Sequence, residues 1–581
     1  MKRIHLLRNL GLALAILAMN TFARPALAKS GLPQKASPTA AAYAAGGSDA
    51  PHPAATAAAH VAAKGDPLLE ALLTELDRST ATLKMDQVQR PYYLEYRVHD
   101  VEDFNTEAAF GALREDQRTH LRVLRVVVRL GDYKQDSFYN QGVGSASILT
   151  VDSDNVALRR QIWLLTDEAY KAAADAYAEK LSALKQFSAD PNPVDDFARA
   201  PVVTFVSDTV KLKVDEDSWK KTVQDLTDLY RKYPDLQSLT ASARFSATNE
   251  YLVNSEGSIV RDGRTTSSVM VNGSTQADDG MRLGRNPYWT EALPQDLPNH
   301  DMLMKETTAM LDTLEALKKA PIVEESYRGP VLFTPDAADD VVAGMIGGNI
   351  LGRKPGPGRP NRTTGGFATS YKTRVLPKFV TVVDDPTLKE FRGKKLLGSY
   401  EVDSEGVKAQ EVTVINEGTL QNYLMNRQPI RDFPSSNGHG RSSPGTNPQP
   451  AVGTLIVKSS EAESADELKK KALGMAAEQS KPYAYRVDTM GPGNTPRLLY
   501  RIYTKDGHEE LVRGAVFNEL DIRALRNDLV ALGNDPLVSN RTGGIGQTII
   551  APSLLFDELE VKRADTSKEK LPEYPAPALK K

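Results

Sequence analysis

Histidine is the side chain that most often holds a catalytic metal or moves a proton near neutral pH, and this chain of 581 residues has eight histidines. No two of them lie at a metal-ligand spacing on one predicted element. His508 and Glu509 begin a His-Glu-x-x-His pattern, but Val512 stands where the second histidine would be. Because Lys505-Asp506-Gly507 precedes the pair, we interpret His508 as part of a hairpin tip. The chain has no cysteine, which excludes disulfides, thiolate metal sites and cysteine nucleophiles.

A second candidate is the glycine-rich segment Asn437-Gly438-His439-Gly440-Arg441. Glycines on both sides of a histidine let the backbone approach a ligand closely, so we predict that Asn437, His439 and Arg441 bind substrate. A flexible loop without a ligand would explain the same residues. The sequence contains neither a Gly-x-Ser-x-Gly nucleophile turn nor a phosphate-binding Walker loop.

The elements that would position a site centre on residues 329–353, GPVLFTPDAADDVVAGMIGGNILGR. The apolar run Val331 to Phe333 predicts a short buried strand that ends at Pro335. From Ala337 to Ile350, apolar residues at helical spacing alternate with small ones, which predicts a closely packed buried helix. A hydrolase would carry ligands or a nucleophile on such an element, and this segment has no His, Cys or Ser. We therefore expect the helix to be structural.

The N-terminus predicts the compartment. Residues 1–28 combine a basic start, an apolar run and the small-residue site Ala26-Leu27-Ala28, a pattern typical of a secretory signal peptide. Together with the lack of cysteine, this predicts export to an oxidising bacterial periplasm. Residues 29–65 are rich in Ala, Pro and Gly and predict a disordered linker. No later segment predicts a membrane span, and a net charge of −3 gives no sign of a nucleic-acid partner.

We predict an α+β fold with two domains. Residues 66–325 form an N-terminal α+β domain of helices with an antiparallel sheet. Its first helix begins at Asp66-Pro67, Pro91 to His99 and Leu121 to Leu130 alternate like strands, and Asn155 to Phe187 is helical.

Four finer predictions concern this N-terminal domain. Trp163 and Leu164 are expected among the buried positions of the long helix. Val210 to Val214 predicts a short strand. Asn254-Ser255-Glu256-Gly257 and Asp262-Gly263 both predict hairpin turns.

Residues 326–562 form the second domain, which is predicted to be β-rich and barrel- or sandwich-like. One helix interrupts its strands, and Ser464 with Glu467 predicts a capping box at its start. Residues 563–581 are charged and rich in Pro, and predict a loose tail.

Short motifs follow one another along the chain in a recognisable order. They are Asn254-Ser255-Glu256-Gly257, Gly329-Pro330-Val331-Leu332, Thr381-Val382-Val383-Asp384-Asp385, Ser399-Tyr400-Glu401-Val402-Asp403-Ser404-Glu405-Gly406, Val412 to Leu420, Asn437 to Arg441, Val512-Arg513-Gly514-Ala515 and Leu532-Gly533-Asn534-Asp535. This series resembles the TldD/PmbA family, also called modulators of DNA gyrase. The likeness covers roughly residues 249–562, and the N-terminal third is similar only in its helix-then-sheet layout.

The resemblance implies an α+β domain followed by a β-rich domain, and pairing of two like chains around a peptide channel. For TldD-type members it implies a zinc peptidase site made by His-Glu-x-x-x-His and a late Cys. In such a site the histidines hold the metal and the Glu activates a water molecule. Histidines five residues apart would need a widened helical turn.

This sequence departs from the TldD-type pattern at each of these positions. Ala343, Gly344 and Gly348 stand where the His, Glu and His would be. The late Cys would fall within Arg541 to Gln547, where there is none, and no histidine lies within residues 301–438. In its missing ligands the chain resembles the metal-free PmbA/TldE type, so no cofactor is expected.

We therefore expect a periplasmic, non-catalytic companion subunit or peptide-binding relative of a metallopeptidase. Its partners would be a peptide or unfolded polypeptide, and either a second copy or a TldD-like chain in a dimer. Two alternatives stay open. One is an active metallopeptidase with a non-standard or partner-completed site, and the other is an envelope scaffold or binding protein.

Overall fold

A computed structural model describes residues 57–139, 144–187, 193–359, 361–574 and 577. The predicted signal peptide and most of the predicted linker lie outside these residues. The end of the linker is helical, since α1 spans Ala57–Ala63 with Ala59 and Ala63 buried. No helix within the described ranges has the length and apolar character needed to cross a membrane.

The N-terminal part of the described chain packs helices on an eight-stranded sheet, whose main path has the strand order β3-β2-β1-β5-β6-β4, with β7 and β8 also paired to β6. The helices after α1 are α2 Pro67–Thr82, α3 Asn155–Leu184, α4 Glu216–Asp228 and α5 His300–Lys319. The strands are β1 Tyr93–Ala109, β2 Ala112–Arg129, β3 Ser145–Leu149, β4 Thr204–Val206, β5 Ser238–Asn254, β6 Ile259–Gln276, β7 Arg282–Arg285 and β8 Tyr288–Glu291.

Local chemistry explains where these elements begin and turn. Asp66 caps α2 by accepting hydrogen bonds from the backbone N–H groups of Leu68 and Leu69. The turn at Asn254–Gly257 is confirmed, because Gly257 donates its N–H to the carbonyl of Asn254 and β5 pairs with β6 across it.

The prediction of a turn at Asp262-Gly263 is wrong. Both residues lie inside β6, paired with Glu250 and Asn249 of β5. A Cβ at position 263 would lie 3.1 Å from the carbonyl oxygen of Asp208. The glycine therefore admits a neighbouring backbone segment rather than a turn, which is a common use of glycine inside a strand.

Two further predictions for this domain are also wrong. Trp163 and Leu164 are 46% and 60% exposed, because the buried stripe of α3 runs through other positions, including Leu158, Ile162 and Leu165. Residues 210–214 form no strand. The N–H of Val210 instead donates to the Asn249 side chain.

The C-terminal part of the chain is rich in strands, as predicted. One sheet has the order β14-β13-β10-β17-β25-β24, and a larger sheet has the order β18-β23-β26-β9-β19-β20-β21, with β22 on β26. The helices are α6 Pro335–Val341, α7 Ala465–Glu478 and α8 Ile522–Asn527. The strands are β9 Tyr327–Phe333, β10 Val380–Asp384, β11 Glu390–Phe391, β12 Lys394–Lys395, β13 Val412–Asn416, β14 Thr419–Leu420, β15 Gly440–Arg441, β16 Gln449–Pro450, β17 Thr454–Ser459, β18 Ala462–Glu463, β19 Tyr483–Gly491, β20 Thr495–Tyr503, β21 Glu509–Val512, β22 Ala515–Phe517, β23 Leu529–Gly533, β24 Leu537–Thr542, β25 Gly546–Ala551 and β26 Leu554–Arg563.

The core of this part surrounds α6. Val342 and Ile346 are buried together with Val382 from one sheet and Phe333 from the other. The capping box of α7 is confirmed, since Ser464 and Glu467 each accept a hydrogen bond from the other's backbone N–H. Helices with an antiparallel sheet, followed by a strand-rich region, confirm the predicted α+β fold class.

Candidate functional site

The segment Pro335–Gly347 has a change of helical pitch that bears directly on function. The α-helix α6 ends at Val341, and Val342–Gly347 forms a π-helical turn. Gly348 donates its backbone N–H to the carbonyl of Ala343 at 3.2 Å, a bond between residues five positions apart. The prediction of a helix over Ala337 to Ile350 is therefore confirmed, but the bounds differ. The observed helix begins at Pro335, ends at Gly347 and widens from Val342 onward. The widened turn aligns positions 343 and 348 on one face.

The outer face of this π turn carries almost no side-chain atoms. Gly344 and Gly348 are exposed, and a Cβ built on Gly344 meets nothing within 4 Å. Exposed Asp336 and Asp340 continue the same face toward the start of α6. The opposite face is buried in the core, so the segment is anchored on one side and open on the other.

The late segment of the chain lies beside this helix. Arg541 of β24 donates to the carboxylate of Asp339, and its Nη2 donates to Asp340 Oδ1 at 2.7 Å. The Asp339 side chain is only 3% exposed, and burial raises its pKa to about 6, although the positive charge of Arg541 opposes that rise. The structure thus brings the segment expected to hold the late Cys to the helix expected to hold the histidines.

The residues at this position do not fit a zinc ion. Ala343, Gly344 and Gly348 offer no side-chain nitrogen, oxygen or sulfur, whereas zinc sites in proteins use Cys, His and carboxylate ligands. Within the described ranges, no group of three or more His, Cys, Asp or Glu side chains is placed to hold a metal ion.

The glycine-rich segment of residues 437–441 is built into the interior. The His439 side chain is fully buried; its Nε2 lies 3.1 Å from Asp384 Oδ1 and its Nδ1 lies 2.9 Å from the carbonyl oxygen of Asn437. The Asn437 side chain bridges two backbone groups, accepting from Met425 and donating to Tyr423.

Arg441 is buried as well. Its guanidinium lies 4.0 Å above the ring of Tyr400, and its two terminal nitrogens have no hydrogen-bond partner within the described residues. Burial lowers its pKa. That Asn437, His439 and Arg441 bind substrate stays a prediction, and in this chain the contacts of Asn437 and His439 are with the protein itself.

Acidic residues of a neighbouring motif pack against this segment. Asp403 accepts hydrogen bonds from the N–H groups of Gly440, Glu405 and Val407. Glu405 accepts one from Arg427 N–H at 2.6 Å. Burial and the adjacent charge of Asp403 raise the pKa of Glu405 to about 8.

The confirmed turn at Asn254–Gly257 joins the same interior. The fully buried Arg427 donates to Glu256 Oε1 at 2.7 Å and to the carbonyl of Ala198. Motifs that are far apart in sequence therefore converge in one buried polar region between the two parts of the chain.

Two open cavities flank the junction of β7 with the C-terminal sheets. The first, of about 620 Å³, lies between β8, α6 and β24, and the second, of about 550 Å³, lies beside α5 and the end of β26. Arg285 and Arg497 line both cavities. Sequence reasoning missed these two residues, because nothing in their local patterns marks residues so far apart in the chain as neighbours. His508 lies after the turn that joins β20 to β21 and is exposed, as the hairpin interpretation predicted.

Known proteins resemble this chain in sequence. Residues 326–563 match the model of the PmbA/TldA metallopeptidase C-terminal domain. A metalloprotease of Methanocaldococcus jannaschii is 23% identical over 312 residues, covering 53% of this chain and 63% of the relative. A metalloprotease of Methanothermobacter thermautotrophicus is 23% identical over 222 residues, covering 38% and 46%. The matched part is thus less than two thirds of each relative's length.

Solved structures share the fold. A proposed modulator of DNA gyrase from Thermotoga maritima has a TM-score of 0.54 at 16% identity, covering 81% of this chain and 96% of that one. TldE from Thermococcus kodakarensis has a TM-score of 0.53 at 12% identity, with the same coverage. A proposed modulator from Bacteroides thetaiotaomicron has a TM-score of 0.55 at 14% identity, covering 85% and 98%.

The ordered motifs, the domain match over residues 326–563 and the shared fold support one another. They show that residues 326–563 form a metallopeptidase-like C-terminal domain of the PmbA/TldD type, and they support a relation of this chain to the TldD/PmbA family.

Proposed function

We propose that this chain is an exported, zinc-free member of the family that binds peptides or unfolded polypeptide. It would act as the non-catalytic companion subunit of a metallopeptidase, or as a peptide-binding relative that pairs with a second copy of itself. The observation that carries the proposal is the π turn Val342–Gly347, in which positions 343 and 348 share a face that bears only Ala343, Gly344 and Gly348.

The π turn has the backbone shape of a site but not the side-chain chemistry of one. A π turn is rare and frequently lies at a functional site. Here the turn persists, yet the groups that would hold a metal and activate water are absent from it. This combination favours a chain that keeps the shape of the family's site for binding and has no hydrolytic role of its own.

Peptide binding is supported by the walls of the 620 Å³ cavity. β24 is the last strand of its sheet, and β8 pairs only with β6 among the described strands. The two strands face each other, and Tyr288 and Ser539 place their hydroxyl oxygens 3.3 Å apart across the gap. Unpaired strand edges can bind an extended peptide through backbone hydrogen bonds.

Export and pairing rest on sequence. The proposal of a periplasmic location depends on residues 1–28 and on the absence of cysteine. The proposal of a dimer, with a second copy or with a TldD-like chain, depends on the family relation.

The direct test uses the full-length exported chain and fluorescein-labelled unfolded peptides. Fluorescence anisotropy should show binding, and chromatography of the same samples should show intact peptide after overnight incubation. Sedimentation should show a dimer, either alone or after co-expression with an exported family member that has the zinc motif. Failure to bind any peptide, or cleavage by the chain alone, would contradict the proposal.

A gain-of-function variant tests the observation behind it. Because positions 343 and 348 share a face, the variant Ala343→His/Gly344→Glu/Gly348→His should bind zinc more tightly than the wild-type chain, through the two histidines alone, since the late Cys is not restored. The control Gly344→Ala/Gly348→Ala adds Cβ atoms without ligands and should bind none. It also measures any cost of the 3.0 Å approach between a Cβ at position 348 and the Gly344 carbonyl oxygen. A folded triple variant that binds zinc no more tightly than the control would show that the turn does not present positions 343 and 348 on one face.

A further inference from the structure

Two arginines from different parts of the chain meet at the wall between the two cavities. Arg285 ends β7 in the N-terminal part, and Arg497 lies in β20 of the C-terminal part. Gly491 makes room for Arg497, because a Cβ there would lie 2.8 Å from its Nε. The Arg497 side chain therefore packs against the backbone at Gly491, and both arginines line the two open cavities.

Neither arginine has an acidic partner within the part of the chain that the structure describes. Among the ion pairs between described residues, none involves Arg285 or Arg497, and Arg285 Nη1 is buried without a hydrogen-bond partner. Nearby arginines of the same sheet behave differently. Arg486 pairs with Asp488 and Arg501 pairs with Glu510.

Burial dominates the electrostatics of both arginines. It lowers the pKa of Arg285, and the positive charge of Arg497 adds to this, whereas the charge of Asp336 opposes it. Burial also lowers the pKa of Arg497, against the opposing charge of Asp340. Two partly buried like charges repel, and a bound carboxylate would relieve both the repulsion and the missing hydrogen bonds.

The acids around the cavity do not fill this role. Asp340 is paired with Arg541, and Asp488 is paired with Arg486. Glu291 also lines the cavity and is paired with Lys394. Asp336 lines the same cavity on α6 and makes no ion pair with another described residue. Its negative charge opposes the lowering of the Arg285 pKa. A ligand can therefore bring its own carboxylate to the arginines.

We propose that Arg285 and Arg497 form a subsite that binds a peptide carboxylate, supplied either by the C-terminus or by an acidic side chain. This inference rests on the peptide-binding function proposed above, and it names the chemical group that the cavity selects. An arginine presents a planar fork of donors that matches the two oxygens of a carboxylate. The volume of about 620 Å³ lies within the range of cavities that enclose small ligands.

The test compares matched labelled peptides with the full-length chain. One pair of peptides differs only in a free-acid or an amidated C-terminus, and a second, amidated pair differs only in an internal Glu or Gln. Hydrogen bonds to charged groups contribute about 1.5–3 kcal/mol each, and 1.4 kcal/mol is tenfold in affinity. The carboxylate form of at least one pair should therefore bind about tenfold more tightly or better.

Variants assign that preference to the two arginines. Arg285→Gln and Arg497→Gln should each remove most of the preference for the carboxylate peptide over its neutral counterpart. The control Arg231→Gln removes an exposed arginine that pairs with Asp228 and should leave the preference unchanged. A preference in the C-terminal pair identifies the C-terminus as the ligand group, and one in the Glu/Gln pair identifies the acidic side chain.

Two negative outcomes have different meanings. Equal binding within both peptide pairs, or a preference that survives both Gln variants, would overturn the carboxylate subsite and leave peptide binding intact. No binding of any peptide would overturn the proposed function and this inference together.

Discussion

Replacing Arg541 with methionine tests how the late segment of the chain is held against α6. Arg541 reaches Asp339 through Nε at 3.1 Å and through Nη2, and it also binds Asp340. Methionine keeps much of the side-chain volume but provides no donor. The variant would leave Asp339, which is 3% exposed, as a buried carboxylate without its counter-ion.

The size of the effect follows from burial. Removing one partner of a buried ion pair costs about 3–5 kcal/mol, because the remaining charge stays desolvated. The Arg541 side chain is 26% exposed, so water can partly reach the site, and we expect a loss of about 3 kcal/mol at pH 8. A buried carboxylate with a raised pKa penalises folding only where it must ionise. The charge of Arg541 opposes the rise of the Asp339 pKa, so without it the pKa of this carboxyl lies above about 6 in the variant. The loss should therefore shrink as pH falls from 8 towards about 6, where Asp339 is protonated in the variant.

The assay is urea denaturation at pH 8 and pH 5, combined with hydrogen exchange of peptides covering β24 and β25. The variant Asp339→Asn/Arg541→Met should recover part of the loss, because it removes the buried charge. Arg523→Met removes an ion pair whose arginine is 80% exposed and should cause no measurable change. If Arg541→Met destabilises the chain no more than Arg523→Met does, the pair does not anchor β24 to α6.

Two further substitutions test the buried polar region. The pKa of Glu405 is about 8 in the folded chain and near 4.5 in the unfolded chain. Between these pH values the carboxyl ionises more readily in the unfolded chain, so the free energy of unfolding falls as pH rises. The stability of Glu405→Gln relative to wild type should therefore rise by about 3 kcal/mol between pH 5 and pH 8, measured by urea denaturation, and a pH-independent difference would contradict a protonated Glu405 beside Asp403. Gly438 has φ +77° and a Cβ there would lie 2.3 Å from the Lys408 carbonyl oxygen, whereas Gly507 has φ +73° with open space around it. Gly438→Ala should lower stability by about 3 kcal/mol or prevent folding, and Gly507→Ala by about 1 kcal/mol; equal effects on the thermal midpoint would refute the close approach at Gly438.

The sequence predicted those parts of the fold in which a local pattern has a local cause. Asp66 before a proline and Ser464 three residues before Glu467 are caps whose partners lie within one turn. The confirmed turn at Asn254–Gly257 is equally local. The wrong turn at Asp262-Gly263 shows the limit of this reasoning, because that glycine is required by a segment around Asp208 that is close only in space.

The candidate site likewise has features that the sequence predicts and features that only the structure shows. The absence of ligands at Ala343, Gly344 and Gly348 could be stated from the sequence, and the shared face of positions 343 and 348 is a finding of the structure. The burial of His439 could not be predicted, because glycines beside a histidine are compatible with a loop or with a packed interior. The meeting of Arg285 with Arg497 depends on how the two parts of the chain pack, which no short pattern encodes.

The most direct test of the central claim is one measurement of zinc content together with peptidase activity on the purified full-length chain. The protein is first exchanged into metal-free buffer, then incubated with equimolar zinc and separated from unbound metal. Elemental analysis should then find far less than one zinc ion per chain, and unfolded peptides should stay intact. One zinc ion per chain together with peptide cleavage would contradict the account, because the chain would then have the metal and the hydrolytic activity that its π turn is argued to lack.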